Sequence, residues 1–467
     1  MLVTQATIDN PRRSKRLPIV MRALLSLPLV ASLLVACTAS SSEVAPHPDQ
    51  LFFPTGAAIA PDGSVLFVAN ANSDLTFDSG SISVVDLGLV DQMIADWLAN
   101  PASFKDGKSD CTPDTDHVET LVCEEAQFLR TSAGVRIGNF ATDIAVQDTG
   151  NGTLRLIIPT RGDPSIAWAD YTNDALSCSK SSESNALCDD THRLSYVQNN
   201  SSLASLPDEP FMAYADSVGQ YAVVSHLTSG AVTLIDSPIG GDAIVTDIKP
   251  SVFAPDPLTG LFGSTGVAGK PNGASGSMVY VGSRSEDRVQ MFTVGRPANQ
   301  APPFLLEGAY FFLDGVGNNA GGSSDTRGMK FSSKGDQLYL VNRNPASLQV
   351  IDTSLDAGGF PRNQTIASTD ICRQGSNLAV MDFASAGERA YVTCFQDGQL
   401  YVVDPSGSGS VEDVIDVGRG PYAVVGGPHG RVYVTNFLED TIAVVDAEPN
   451  SATHDRVVLR IGTVRPL

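Results

Sequence analysis

Tryptophan, methionine and histidine are scarce in this chain: 2, 8 and 6 among 467 residues. Positive charge is also short, with 30 Lys and Arg against 52 Asp and Glu, a net charge of −22. Such a surplus of acid repels phosphate backbones and anionic headgroups, which argues against nucleic-acid or peripheral-membrane binding. There is no C-x-x-C, no C-x-x-C-H and no Cys/His spacing of a zinc site, so thioredoxin-like, haem-c and zinc chemistry fail on residue type. The histidines (47, 117, 192, 226, 429, 454) form no i, i+4 pair. No G-x-S-x-G elbow and no phosphate-cradling glycine loop occurs either. A mean hydropathy of +0.01 leaves apolar material for a large core and none for a multi-pass membrane protein. With 42 Gly and 28 Pro, the chain is turn-rich, yet below the level at which disorder becomes the expectation.

What is present begins with an address. Residues 21–36 read MRALLSLPLVASLLVA: one basic residue, then an apolar run too short to span a bilayer stably. Upstream, Arg12, Arg13, Lys15 and Arg16 form an extended basic segment, with Met21 as an alternative start. Leu34-Val-Ala-Cys37 closes the run and resembles the bacterial lipobox. That resemblance implies a signal peptide over 1–36, a diacylated Cys37 and a polar, Pro-containing tether over 37–50. Acyl chains would then hold the protein to a membrane surface with no spanning helix. Thr38, where enteric sorting would need Asp to retain the protein at the inner membrane, favours the outer membrane of the cell envelope. Cleavage removes five bases (Arg12, Arg13, Lys15, Arg16, Arg22) and one acid (Asp9), moving the net charge from −22 to −26.

Six cysteines remain: Cys111, Cys123, Cys178, Cys188, Cys372 and Cys394. Six cysteines allow fifteen pairings. Sequence proximity favours Cys111 with Cys123, Cys178 with Cys188 and Cys372 with Cys394, and an even number suits an oxidising compartment.

After residue 50 the chain repeats itself. Gly420-Pro-Tyr-Ala-Val precedes Arg431-Val-Tyr-Val-Thr-Asn436 and Thr441-Ile-Ala-Val-Val-Asp446. The preceding unit offers Asn377-Leu-Ala-Val, Arg389-Ala-Tyr-Val-Thr-Cys394 and Gln399-Leu-Tyr-Val-Val-Asp404. The first contains Pro61-Asp-Gly63, Val65-Leu-Phe-Val-Ala-Asn70 and Ser81-Ile-Ser-Val-Val-Asp86. Further copies centre on Leu154–Thr160, 221–225, 278–283 and 337–342, making seven units. Each reads as a short apolar run, a Gly/Asp/Pro turn, two alternating strands and an outer strand, the last visible at 411–417 and 456–461. Four strands per unit of about 40–45 residues is the pattern of a propeller blade. A lone four-stranded sheet leaves two apolar faces wet, and radial stacking buries both.

Tyr433-Val-Thr-Asn436 and Pro61-Asp-Gly63 resemble the YVTN family of β-propeller repeats. The resemblance implies an all-β, seven-bladed propeller of four-stranded antiparallel blades over residues 51–467. It says almost nothing about function. The acid- and Ser-rich stretches 88–130 and 171–205 are the largest insertions; each carries a local cysteine pair, which predicts disulfide-stapled loops standing off the ring. Because the chain starts on an inner strand and ends on an outer one, the ring is expected to close without a shared strand.

In propellers of this kind ligands sit at one mouth of the central channel. The position after the second strand holds Arg161, Arg284 and Arg343 in units 2, 4 and 5, with His226 one place earlier in unit 3; Arg327, Arg373 and Arg419 fall near starts of inner strands. Arginine forks suit carboxylate and phosphate. The expectation is an electropositive mouth binding an anionic small molecule or an acidic peptide, unless these arginines pair with acids such as Asp163, Glu286 and Asp287. The recurrent Asp86, Asp236, Asp352, Asp404 and Asp446, and Asn70, Asn342 and Asn436, read as turn residues. Asn72, Asp74, Asp78 and the stretch 170–190 offer oxygens of the kind calcium uses, without a calcium loop's spacing, so no cofactor is expected. The leading expectation is a monomeric cell-envelope lipoprotein whose propeller binds or scaffolds a protein or small anion. The alternatives are a lactonase-like hydrolase working near Arg284, Arg343 and His226, and a surface adhesion or assembly protein. Catalysis predicts an acid or histidine of perturbed pKa beside the arginines; binding alone predicts an open or apolar mouth.

Overall fold

In the computed structural model the described residues are 44–105, 110–150, 152–181, 183–197, 204–257, 259–271, 277–297, 302–313 and 324–464. The signal segment 1–36 and Cys37 lie outside them. The structure is a seven-bladed β-propeller, each blade built on a four-stranded antiparallel sheet with strands in sequence order from the axis outward. The inner strands are Pro54–Ile59, Ala145–Asp148, Pro210–Asp216, Ser264–Gly269, Thr326–Phe331, Gly375–Phe383 and Pro421–Gly426. The second strands are Val65–Asn70, Leu154–Thr160, Tyr221–His226, Ser277–Ser283, Gln337–Arg343, Gly387–Cys394 and Arg431–Asn436.

Strand alternation decides the packing. In the last blade Val432 and Val434 face the sixth blade, while Tyr433 between them faces the first. Every blade does this, so the buried apolar side chains form seven clusters, one at each blade interface. The tyrosines of the repeat (Tyr280, Tyr339, Tyr391, Tyr433) are fully buried there.

All three disulfides pair as sequence proximity favours. The recurrent aspartates are turn residues: Asp352 accepts from the Ser354 amide, Asp404 from Ser406 and Asp446 from Glu448. Asp86 instead caps a helix, accepting from the Leu89 amide.

That helix belongs to the first insertion, which does not stand off the ring. It spans Leu87–Ala99, the one α-helix among the described residues, and buries Leu87, Val90, Ile94 and Trp97 against the interface of blades 1 and 7. Its period of 3.6 puts those four on one face, a pattern hidden inside an acid-rich run. Beyond it, the hairpin Cys111–Pro113 and Leu121–Cys123 adds to the outer edge of blade 7, with Leu121, Val122 and Cys123 running parallel to Leu459, Arg460 and Ile461. Thr120 Oγ1 donates to the Val457 carbonyl at 2.7 Å. Among the described residues no blade combines strands from the start and the end of the propeller, yet the ring is clasped by an insertion of the first blade laid on the last. The second insertion is also knitted in: Arg193–Leu194 pairs with the third strand of blade 2, and Leu187 bridges to Arg136 of blade 1. No helix among the described residues is long and apolar enough to cross a membrane.

Candidate functional site

One face of the ring is built from a bond repeated in every blade. The residue after the second strand's anchor donates its N–H to the carbonyl just before the inner strand. The pairs are Ala71–Phe53, Arg161–Phe140, Leu227–Glu209, Arg284–Gly263, Arg343–Asp325, Phe395–Gln374 and Phe437–Gly420, at 2.9–3.3 Å. In four blades the residue that accepts this bond turns sharply: Phe53, Phe140, Glu209 and Gly420 adopt φ of 48°, 57°, 50° and 65°. Seven equal bonds define seven equivalent rim positions, and three of them hold arginine.

In six of the seven blades the inner strand then carries a bulge at its first residues, for instance between Pro54 and Ala57, Thr326 and Met329, and Pro421 and Val424. The residue that follows the anchor's cross-strand partner (Pro54, Ala141 and Ser264) is Thr55, Thr142 or Thr265 in blades 1, 2 and 4, where its hydroxyl ties neighbouring blades together: Thr55 to the Ala141 carbonyl, Thr142 to that of Phe211, Thr265 to Thr326. In blades 3, 5 and 7 the residue is Phe211, Arg327 or Tyr422. The Arg327 guanidinium lies 5.5 Å from the Phe211 ring, across the intervening blade 4. Tyr422 feels the charges of Arg161, Arg327 and Arg343, and burial pushes its hydroxyl pKa up.

The structure thus brings four of the five sequence-predicted site residues to one mouth. Arg161 Nη2 meets Glu209 at 2.7 Å, leaving its Nε and the second Glu209 oxygen without a protein partner. Arg327, 7% exposed, meets Asp325 at 2.9 Å and likewise leaves Nε unpartnered. Arg343 donates to the Gly375 carbonyl at 2.6 Å and to Ser376 Oγ at 2.9 Å, in the neighbouring blade. Burial, and then the like charge of Arg327, push its pKa down to about 10. Arg284 acts on Arg343 electrostatically and has no carboxylate partner among the described residues. The acids next to these arginines in sequence are engaged elsewhere, Asp163 with Arg193 and Glu286 with Arg288. Of the other two arginines noted in the sequence, Arg373 is exposed and carries no ion pair among the described residues, while Arg419 pairs with Glu439 at 3.1 Å.

His226 is not at the mouth. It occupies the anchor position that Asn70, Asn342 and Asn436 hold in other blades, fully buried, with Nδ1 on the Asp208 carbonyl at 3.1 Å and Nε2 on Thr233 at 2.8 Å. Desolvation lowers its pKa to about 4. The anchor asparagines bond the same segment before the inner strand, but as acceptors: Asn70 accepts from the Phe52 amide, and Asn342 accepts from that of Asp325.

Two features of the mouth were not anticipated. Phe395 and Phe437 occupy the same rim position as the arginines, in blades 6 and 7; searching that position for cations alone passed over them. Asp143 lies at the throat, accepting from the Ala213 amide at 3.0 Å and the Ile144 amide at 2.9 Å. Burial pushes its carboxyl above the usual range, against these bonds and the charge of Lys330. Below, the channel holds a cavity of about 450 Å³ lined by Ala57, Asp143, Ala213, Lys330, Ala379 and Val424, among others. Of the possible calcium oxygens, Asn72 Oδ1 accepts from the Phe77 amide at 3.1 Å and Asp78 pairs with Arg136 at 3.0 Å.

No protein-family model matches the sequence, and no curated protein does. Solved structures match it in fold. A protein from Lactobacillus plantarum is 14% identical, with 71% of this chain and 89% of that one covered and a TM-score of 0.50. The Cps50 (Swd1) β-propeller domain of Myceliophteria thermophila is 11% identical over 84% of this chain and 96% of its own, also at 0.50. The periplasmic gluconolactonase PpgL of Pseudomonas aeruginosa is 15% identical over 79% and 87%, at 0.49. At such identities the likeness is one of fold: the chain is a β-propeller, and its function has to be argued from its own mouth.

Proposed function

We propose that this chain is an exported, lipid-anchored propeller that binds an anionic small molecule or an acidic peptide at the rim carrying Arg161, Arg284, Arg327 and Arg343. The observation that carries the reading is the placement of Arg284 and Arg343. A chain of net charge −22 sets two guanidinium groups within electrostatic reach of each other at equivalent rim positions, and gives Arg284 no carboxylate among the described residues. Asp325, 2.9 Å from Arg327 and 4.0 Å from Arg343, offsets part of the cost of holding these like charges together, and an anion beside Arg284 would offset the rest.

Titration with citrate and with a penta-glutamate peptide tests this. Replacing both Arg284 and Arg343 by Ala is expected to weaken the probe that binds by at least tenfold, since a charge-assisted hydrogen bond contributes about 1.5–3 kcal/mol. Unchanged affinity for both probes overturns the proposal. For the anchor, Cys37→Ser is expected to move the protein from the membrane pellet to the soluble fraction.

Asp143 favours a second reading, a lactonase-like hydrolase. A carboxyl raised above its usual pKa at the throat, with Lys330 as its nearby charge, suits acid–base chemistry, and Asp143 acts on Tyr422 together with Arg161, Arg327 and Arg343. If the mouth hydrolyses γ- and δ-lactones, Asp143→Asn abolishes turnover while citrate binding persists.

A further inference from the structure

The rim has two chemically different halves. Blades 2, 4 and 5 present arginine, whereas blades 6, 7 and 1 present a connected set of aromatic rings. Phe53 and Phe437 have centroids 5.4 Å apart, Phe395 and Phe437 6.0 Å, and Tyr422 stands 6.4 Å from Phe395 and 6.5 Å from Phe437. None of the four is fully buried, and the three phenylalanines belong to none of the seven interface cores. Partly exposed rings, two of them (Phe395 and Phe437) at equivalent rim positions, leave apolar surface turned toward solvent in an otherwise acid-rich protein.

The aromatic half also opens onto space. Between blades 6 and 7, on the same face, Phe395, Gly398, Arg419, Gly420 and Leu438 border a crevice of about 500 Å³, and Leu438 is 43% exposed. The halves abut, because Arg343 crosses from blade 5 to bind Gly375 and Ser376, the residues that follow Gln374 in the crevice wall. Tyr422 joins them directly, since its ring touches Phe395 and its hydroxyl feels three of the arginines.

We infer that the mouth selects small anions that carry a planar aromatic ring, with the anionic group among Arg284, Arg327 and Arg343 and the ring against Phe395, Phe437 and Tyr422. This rests on the anion-binding reading and narrows its ligand class. Apolar area alone would accept any hydrocarbon of the right size. Ring faces and edges add an offset or edge-on preference that saturated rings do not share. The arginines supply the complementary term, a charge-assisted bond that a neutral amide does not replace.

Three matched probes separate the two halves: 2-naphthoate, its neutral counterpart 2-naphthamide, and the saturated decahydro-2-naphthoate, each titrated into the full-length protein by calorimetry. The wild type is expected to bind 2-naphthoate about tenfold more tightly than either of the others. Arg284→Gln should erase the preference over 2-naphthamide and keep that over the saturated acid. Phe437→Leu should do the reverse, with Phe395→Leu as a second variant should the first fail to fold. Equal affinity for the two acids, with Arg284→Gln weakening both, overturns the ring selection and leaves the anion reading standing. No binding of either acid by the wild type overturns this inference together with the anion reading as it applies to small ligands.

Discussion

The clasp laid by the first insertion onto the last blade makes a quantitative prediction about Trp97. Its side chain is 4% exposed, packs edge-on against Phe104 at 5.6 Å, and donates Nε1 to the Glu119 carbonyl at 3.0 Å. It therefore joins the helix to the hairpin that pairs with blade 7. Trp97→Phe removes one hydrogen bond and leaves a carbonyl unsatisfied, a loss of about 1–3 kcal/mol. Trp97→Ala adds a cavity and should cost about 4 kcal/mol in all. With a urea m-value of at least about 3 kcal/mol/M, the alanine variant lowers the unfolding midpoint by up to about 1.3 M. The assay is convenient because the chain has only 2 tryptophans. In either variant all tryptophan fluorescence comes from Trp168, in blade 2, stacked beside Arg155 at 4.3 Å and far in sequence from the clasp. If the clasp holds the ring, the Trp168 transition moves to lower urea in the order wild type, Phe, Ala. An unmoved Trp168 transition, with new proteolytic cleavage confined to residues 88–130, would show the insertion to be an independent appendage and would refute the reasoning.

Three further outcomes follow from particular contacts. His226 has a folded-state pKa near 4 against 6.5 for a free histidine, so as pH falls from about 6.5 to 4 the unfolded chain takes up a proton that the native one refuses. Stability is complete above pH 6.5 and lost across that window, by about 3 kcal/mol; the stability gap between wild type and His226→Gln, measured by urea unfolding at pH 7 and pH 4, should shift by that amount in favour of the variant. At the throat, a Cβ on Gly56 would stand 2.7 Å from the backbone of Asp143. Gly56→Ala is thus expected to cost about 1–3 kcal/mol and to alter ligand affinity at the mouth, both absent if the throat is loosely packed. Asp446, nearly buried, gathers Arg431 at 2.6 Å with Ser451 and Thr453 at 2.5 Å each. Asp446→Asn should destabilise by about 3 kcal/mol, and a thermal melt within a degree of wild type would show that this cluster contributes nothing.

Much of the architecture could be read in advance because it is periodic. Val432, Tyr433 and Val434 alternate, the same triplet pattern returns seven times, and alternation of period two fixes which side chain faces which neighbouring blade. The disulfides were legible for a related reason, since cysteines 10, 12 and 22 residues apart have few other partners within reach. The insertions were not legible. The apolar stripe Leu87, Val90, Ile94 and Trp97 lies in a run whose overall composition is that of a solvated loop. The destination of the hairpin that follows it, the edge of a blade more than three hundred residues later, leaves no local trace.

The site divides along the same line. Sequence alone determined that a rim position recurs and that arginine fills it in blades 2, 4 and 5, because a repeat puts equivalent residues in equivalent places. Only the tertiary structure decided which of those residues meet. It turned His226 into a buried anchor, since the last residue of a second strand points at the backbone of its own blade. It also set Phe395 and Phe437 beside the arginines. Closing a ring brings residues of distant blades face to face across its axis, and that juxtaposition depends on the radius and stagger of the whole assembly, which no single unit encodes.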